Sequence, residues 1–243
     1  RLSSRAAAFA AHPEAKPPWP QRLVLGRDKW SAEDYAAKGL HGLQIWNGEG
    51  ASGWKDGLSA WVRQLLAGRR LAIIGGNDSH GDFNRVRHIR VPFWSVLEST
   101  HHVFGAVRTG LYGPPPRSMD RMVRVLQAGR SLVSNGPFAQ LWLDGRSSGE
   151  TVARSGGTLK IVASSSDHFG FLNRVDLIIG DCQKKQEVPR PLAVPPACLH
   201  FVKELTDVVL PRWGYVRLRA MSGAGQRSYQ CLTNPVYLDV KTV

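Results

Sequence analysis

Asp78 and His80 stand two residues apart in "IIGGNDSHGDFN", at the end of an apolar run. In an extended segment residues i and i+2 project to the same side, so a carboxylate oxygen and an imidazole nitrogen are offered to one point. A divalent metal needs such convergent hard and borderline donors, at about 2.0–2.2 Å for zinc. Gly75 and Gly76, just upstream, would let the backbone bend and approach an ion. His12, ahead of Pro13, ends another apolar run and is a candidate third ligand. The competing reading is a polar loop: Asn77, Asp78 and Ser79 bond to nearby backbone while His80 faces water.

Further candidates are weaker. His101 and His102 are adjacent, and adjacent strand residues face opposite ways, so at most one could serve as a ligand. His41, His88, His168 and His200 read as surface or core histidines. Arg108 and Thr109, in "FGAVRTGLY", lie near another strand end. The Arg108 fork suits an oxyanion or a phosphate, and a structural salt bridge suits it equally.

The elements that must position these residues alternate over the first half. "RAAAFAA" stops at His12-Pro13, where the proline ends any regular element. "SAEDYAAKG" predicts a helix with Ser31 as N-cap and Gly39 as its stop. "HGLQIWNG" predicts a strand closed by the Asn47-Gly48 turn. "LSAWVRQLLAG" carries Leu58, Trp61, Val62, Leu65 and Leu66 at helical spacing. "RLAIIGG" is near-continuous apolar, the mark of a strand buried on both faces of a parallel sheet. "SMDRMVRVLQAGR" predicts a helix from the cap Ser118 to Gly129. Such βαβα order predicts parallel strands with helices outside, and ligands where the strands end. His12, Asn47 and the Asp78/His80 pair each follow a predicted strand.

After Ser131 only strands are predicted, from "FAQLWLDG" to "PVYLDVKTV", separated by Gly/Pro/Ser-rich turns. Val216, Leu218 and Ala220 alternate with Arg217 and Arg219, as in a half-buried strand. The expected organisation is therefore α/β over 1–130 followed by an all-β unit, a β-sandwich, over 131–243.

Composition narrows the classes. With 42% hydrophobic and 21% charged residues the chain can bury a core. No apolar stretch approaches the roughly 20 residues of a membrane-spanning helix. The formal charge is +13. The basic residues are mostly Arg and scattered, with no like-charge run and no aromatic-interleaved basic stripe, so nucleic acid is not the expected partner. Cys182, Cys198 and Cys231 lack metal-knuckle spacing, although Cys182 and Cys198 flank one loop and could pair. The chain opens at Arg1 without a methionine or a secretion signal, and an upstream portion is expected.

"AAHPE", "GLQIWNGEG", "LLAGRRLAIIGGNDSHGDFN", "FGAVRTGLY", "VLQAGRSLVSNGPFAQLWLDGRSSGE" and "TNPVYLDV" occur in that order. Together they resemble the C-terminal portion of PHP-domain metallohydrolases (the polymerase and histidinol phosphatase superfamily), in the carbaryl-hydrolase-like CehA/McbA branch. The resemblance runs from about residue 6 to residue 240. It implies the C-terminal half of a distorted β/α barrel followed by a β-sandwich. It implies hydrolysis of a small-molecule ester, carbamate, amide or phosphoester by metal-activated water, on two or three zinc, manganese or iron ions. By position it makes His12, Asp78 and His80 metal ligands, with Asn47 beside the site and Arg108 lining it. The family's opening H-x-H pair is absent, and Gln44 stands where many relatives carry an acid. The expected partner is thus the missing N-terminal half of the same barrel, without which this portion would be inactive. Its uncovered strand edges would favour self-association. A catalytically dead remnant carrying a binding sandwich is the alternative. The compartment stays open between bacterial cytoplasm and periplasm.

Overall fold

The structure, a computed structural model, describes residues 6–14, 23, 29–48, 54–77, 88–91, 94–97, 104–153 and 156–239. The chain opens with three parallel strands, β1 (Phe9–Ala11), β2 (Gly42–Asn47) and β3 (Ala72–Gly76), in that order across the sheet. The connections between them hold, among the described residues, the helices α1 (Ala32–Tyr35) and α2 (Trp54–Leu66). Ser31 caps α1 as expected: its hydroxyl accepts from the Asp34 N–H at 3.2 Å, and the Asp34 carboxylate accepts from the Ser31 N–H at 2.7 Å. The Ser31 N–H and hydroxyl, both donating to that carboxylate, hold the Asp34 carboxyl below its ordinary range. The helix stops at Tyr35, well before Gly39. On α2, Ala60, Trp61 and Leu65 are buried to 1% exposure or less, so its expected apolar stripe faces a core.

The segment that follows holds β4 (His88–Val91) and β5 (Trp94–Leu97), an antiparallel pair, then β6 (Arg108–Leu111), α3 (Met119–Gln127) and β7 (Ser131–Ser134). Ser118 caps α3, accepting from the Arg121 N–H at 3.3 Å. Ten further strands follow among the described residues: β8 (Phe138–Leu143), β9 (Arg146–Ser147), β10 (Thr151–Val152), β11 (Gly156–Ser164), β12 (Phe171–Asp181), β13 (Gln186–Leu192), β14 (His200–Val209), β15 (Trp213–Ala224), β16 (Arg227–Thr233) and β17 (Val236–Asp239).

They form two sheets. One is β14-β11-β8-β9. The other runs β10-β17-β15-β16-β7-β6, with β12 on the far edge of β15 and β13 beyond it. Leu141, Leu159 and Ile161 from the first sheet share a core with Leu177, Val216 and Leu218 from the second. The large sheet takes in β6, from before residue 130, so the α/β segment and the all-β segment are continuous in hydrogen bonding.

The other face of the large sheet is covered as well. Trp61, Leu65 and Ile73 pack with Val133, Tyr215 and Leu232 in a second core. Val216, Leu218 and Ala220 alternate inward, all at 0% exposure. Arg217, expected on an open face, is only 2% exposed. It pairs with Glu187 at 2.7 Å, and its guanidinium carbon lies 5.2 Å above the Trp61 ring. The reason is α2, which lies over that face.

Among the described residues no barrel closes. Two side chains occupy the outer edge of β3, where a next strand would pair. Asn234 donates to the Ile73 carbonyl at 3.1 Å and accepts from the Ile73 N–H at 2.7 Å. The Thr109 hydroxyl donates to the Gly75 carbonyl at 2.9 Å and accepts from the Gly75 N–H at 3.0 Å. Ile73 and Gly75 are the alternate residues whose backbone groups point outward. β3 therefore ends its sheet with its outward groups satisfied. The three cysteines are free, so Cys182 and Cys198 are not joined.

Candidate functional site

The carboxyl ends of β1, β2 and β3 lie along one edge. His12 follows β1 and donates its backbone N–H to the Gln44 carbonyl at 3.1 Å. Its φ is 33°, in the left-handed region, which costs a non-glycine residue about 1–2 kcal/mol. Its side chain is exposed. Asn47 ends β2, and its side-chain oxygen accepts from Gln44 Nε2 at 3.0 Å across the bulge at Gln44–Trp46. The Gly48 N–H donates to the Gly76 carbonyl at 2.9 Å, tying the ends of β2 and β3 together.

Asn77 continues from β3. Its side chain donates to the Val107 carbonyl at 3.0 Å and accepts from the Val107 N–H at 2.7 Å. This pair of bonds fixes the chain one residue before Asp78. Asp78 and His80 themselves, and His101 and His102, lie outside the described residues.

Arg108 opens β6, next to the strand-end edge through the Thr109–Gly75 bonds. Its Nε donates to the Gly105 carbonyl at 2.7 Å, and its guanidinium carbon sits 5.3 Å from the centre of the Phe169 ring. Phe169 in turn meets Tyr229 edge-on at 5.1 Å. Arg108 is exposed and held by a backbone bond and a ring, and it makes no ion pair among the described residues.

Two features escape a sequence reading. Glu14, in the "HPE" stretch, is committed to structure: it accepts from Tyr35 at 2.9 Å and Lys29 at 3.0 Å, with Arg63 at 3.5 Å. Burial and this carboxylate push the Tyr35 phenol well above its ordinary value. Gly75 and Gly76 also have packing reasons to be glycine. A Cβ at Gly75 would stand 2.6 Å from Val133 Cγ1 and 2.7 Å from Val107 Cγ1, and one at Gly76 would strike the Gln44 amide.

The motif segments behave similarly. In "SNGPF" the Ser134 hydroxyl bonds the Pro137 carbonyl, and Asn135 accepts from the Gln230 N–H at 2.7 Å. Glu150, in the "DGRSSGE" stretch, accepts from the Ser147 N–H at 2.9 Å and pairs with Arg130 at 3.3 Å. These residues build the joint between the halves.

At the strand-end edge the described donors are the imidazole of His12 and the neutral amides of Gln44 and Asn47. No three His, Cys, Asp or Glu side chains converge among the described residues. The Gln44–Asn47 bond uses the Asn47 oxygen and so orients its Nδ2 as a donor. No family model, no curated protein and no solved structure matches the chain.

Proposed function

We propose that this chain carries one side of a metal-dependent hydrolytic site of the PHP type, with His12, Asp78 and His80 as ligands. The same reading takes β1–β3 as the end of a distorted β/α barrel and the two larger sheets as a β-sandwich. One observation carries it: three parallel strands end together, bringing His12, Asn47 and Asn77 to one edge, with Asp78 the next residue. Such edges are where open parallel sheets hold ligands.

A nitrogen and oxygen donor set of two imidazoles and a carboxylate suits zinc, manganese or iron. The neutral Gln44 and Asn47 amides add no anionic ligand, and the chain has no H-x-H pair, so one side of a centre is the extent of the assignment. The metal, when bound, supplies an activated water and polarises the scissile group. The chain's own residues prepare the place. His12 is held in a strained turn that presents its ring beyond the strand. Asn77 anchors the approach to Asp78. Asn47 Nδ2 is oriented to donate to a substrate oxygen. With Nε engaged at Gly105, the terminal nitrogens of Arg108 form the fork toward an anionic group. The outer edge of β1, which pairs with no second strand among the described residues, is where the rest of a barrel would add.

Turnover of 4-nitrophenyl acetate and bis(4-nitrophenyl) phosphate by the intact natural protein tests this. Hydrolysis of either that requires added zinc, manganese or iron and falls at least about 100-fold in Asp78→Ala is expected. Equal rates in the two proteins would contradict the proposal.

The neutral Gln44–Asn47 pair favours a second reading, a catalytically silent remnant beside an all-β binding module. Under it neither substrate turns over with any of the metals.

A further inference from the structure

A cavity of about 640 Å³ opens between the start of α2 and the large sheet. The volume lies within the roughly 300–1,000 Å³ of small-molecule sites. One wall is a pair of stacked indoles, Trp46 and Trp54, 5.4 Å apart with ring planes at 22°. Tyr229, 7% exposed, presents a further ring, while Asn135, Arg219 and Arg227 supply polar groups. Trp46 and Asn47 are consecutive in β2 and so face opposite sides of their sheet. Tyr229 also meets Phe169, the ring that carries Arg108, so the cavity adjoins the Arg108 side of the strand-end edge.

Its charge is one-sided. Among the described residues no carboxylate lines it. Arg219 donates to Asp176 at 2.9 and 2.6 Å, but Asp176 also serves Arg174 at 2.9 Å, so one carboxylate answers two guanidinium groups. Arg227, at the start of β16, makes no ion pair among the described residues. Stacked rings accept another flat ring, and a guanidinium fork accepts an anionic group.

We propose that this cavity binds a small planar aromatic anion, its ring against Trp54 and its charged group on Arg227. A nucleoside phosphate and an aromatic carboxylate share that chemistry. A single-stranded nucleic acid fits less well, because it needs a groove tracking successive phosphates, and of the two arginines here Arg219 is already engaged by Asp176. The inference uses none of the proposed metal ligands, and metal-stripped protein should bind equally.

Calorimetric titration with adenosine monophosphate and 1-naphthoate tests it, each against its uncharged counterpart, adenosine and 1-naphthylmethanol. At least one anion is expected to bind one to one, at least tenfold tighter than its counterpart, and the preferred anion identifies the source. Arg227→Gln, at an exposed position, should reduce that preference at least fivefold, and Trp54→Leu should weaken the charged and uncharged forms alike. Absence of binding, equal affinity with and without the charge, indifference to Arg227→Gln, or binding confined to a single-stranded 12-mer with a steep salt dependence would each overturn it.

Discussion

The side chain of Asn234 bonds both backbone groups of Ile73, 161 residues earlier, and so ends the parallel sheet. Its amide also donates to the Ser131 carbonyl at 3.0 Å and the Ser131 hydroxyl at 2.9 Å, all at 0% exposure. One carboxamide thus joins β3, β7 and the β16–β17 turn. An uncovered half-barrel was expected to expose strand edges, but on this side the edge is filled.

Removing that amide should be costly. Asn234→Ala leaves the Ile73 N–H and carbonyl buried without partners, at about 1–3 kcal/mol per group. A loss of about 3 kcal/mol is expected in urea unfolding. Asn234→Asp should lose at least as much, because a carboxylate cannot donate to the Ile73 and Ser131 carbonyls. Thr109→Val removes the equivalent bonds at Gly75, which is partly exposed, and about 1–2 kcal/mol is expected. A loss under about 0.5 kcal/mol in Asn234→Ala would show that the edge is satisfied another way.

His12 sets stability against chemistry. At φ 33° glycine carries no Cβ penalty, so His12→Gly should melt at or above the temperature of the parent protein. The same substitution should weaken metal retention. A clear drop in melting temperature with metal retention unchanged would make His12 a packing residue.

Alkaline pH should unfold the protein through its buried acids. Burial pushes the Cys231 thiol from 9.0 up to about 12, so folding favours the neutral thiol. Its contribution is complete below about pH 9 and is lost as pH rises toward 12. The Tyr112 and Tyr237 phenols, raised from 10.0 mainly by burial, add to the same decline above about pH 10. Urea midpoints should therefore fall from pH 9 upward, and less steeply between pH 9 and 10 in Cys231→Ala. A flat profile to pH 11 would contradict this.

Thiol labelling at pH 8 should separate the cysteines. Cys182 and Cys231 are buried to 2% exposure or less, and burial raises the Cys182 thiol too. Cys198 is partly exposed. One thiol per chain should react before denaturation and three after. Fast reaction of two or more would mean that the core around Cys231 opens readily.

How much of this was legible in the sequence depended on range. Ser31 and Ser118 were readable as caps because a cap bonds three residues along its own chain. Val216, Leu218 and Ala220 were readable as an inward row because strand alternation is local. The burial of Arg217 was not, since it depends on α2, Trp61 and Glu187 arriving from elsewhere. Asn234 was visible in the "TNPVY" stretch, yet its task is set by a partner far away in the chain. The same holds for the aromatic and basic cavity. The sequence shows no basic stripe with interleaved aromatics, because Trp46, Trp54, Arg227 and Tyr229 come from opposite ends of the chain. At the candidate metal edge, strand ends were readable from apolar runs and turns, whereas the left-handed turn at His12 and the Gln44–Asn47 bond required the fold.

Equilibrium dialysis against zinc, manganese and iron(II) tests the central claim most directly, using the parent chain beside His12→Ala, Asp78→Ala and His80→Ala. About one ion should be retained per chain for at least one metal, with a loss of at least tenfold in affinity in each variant. Retention of none, or retention unchanged by all three substitutions, would contradict it.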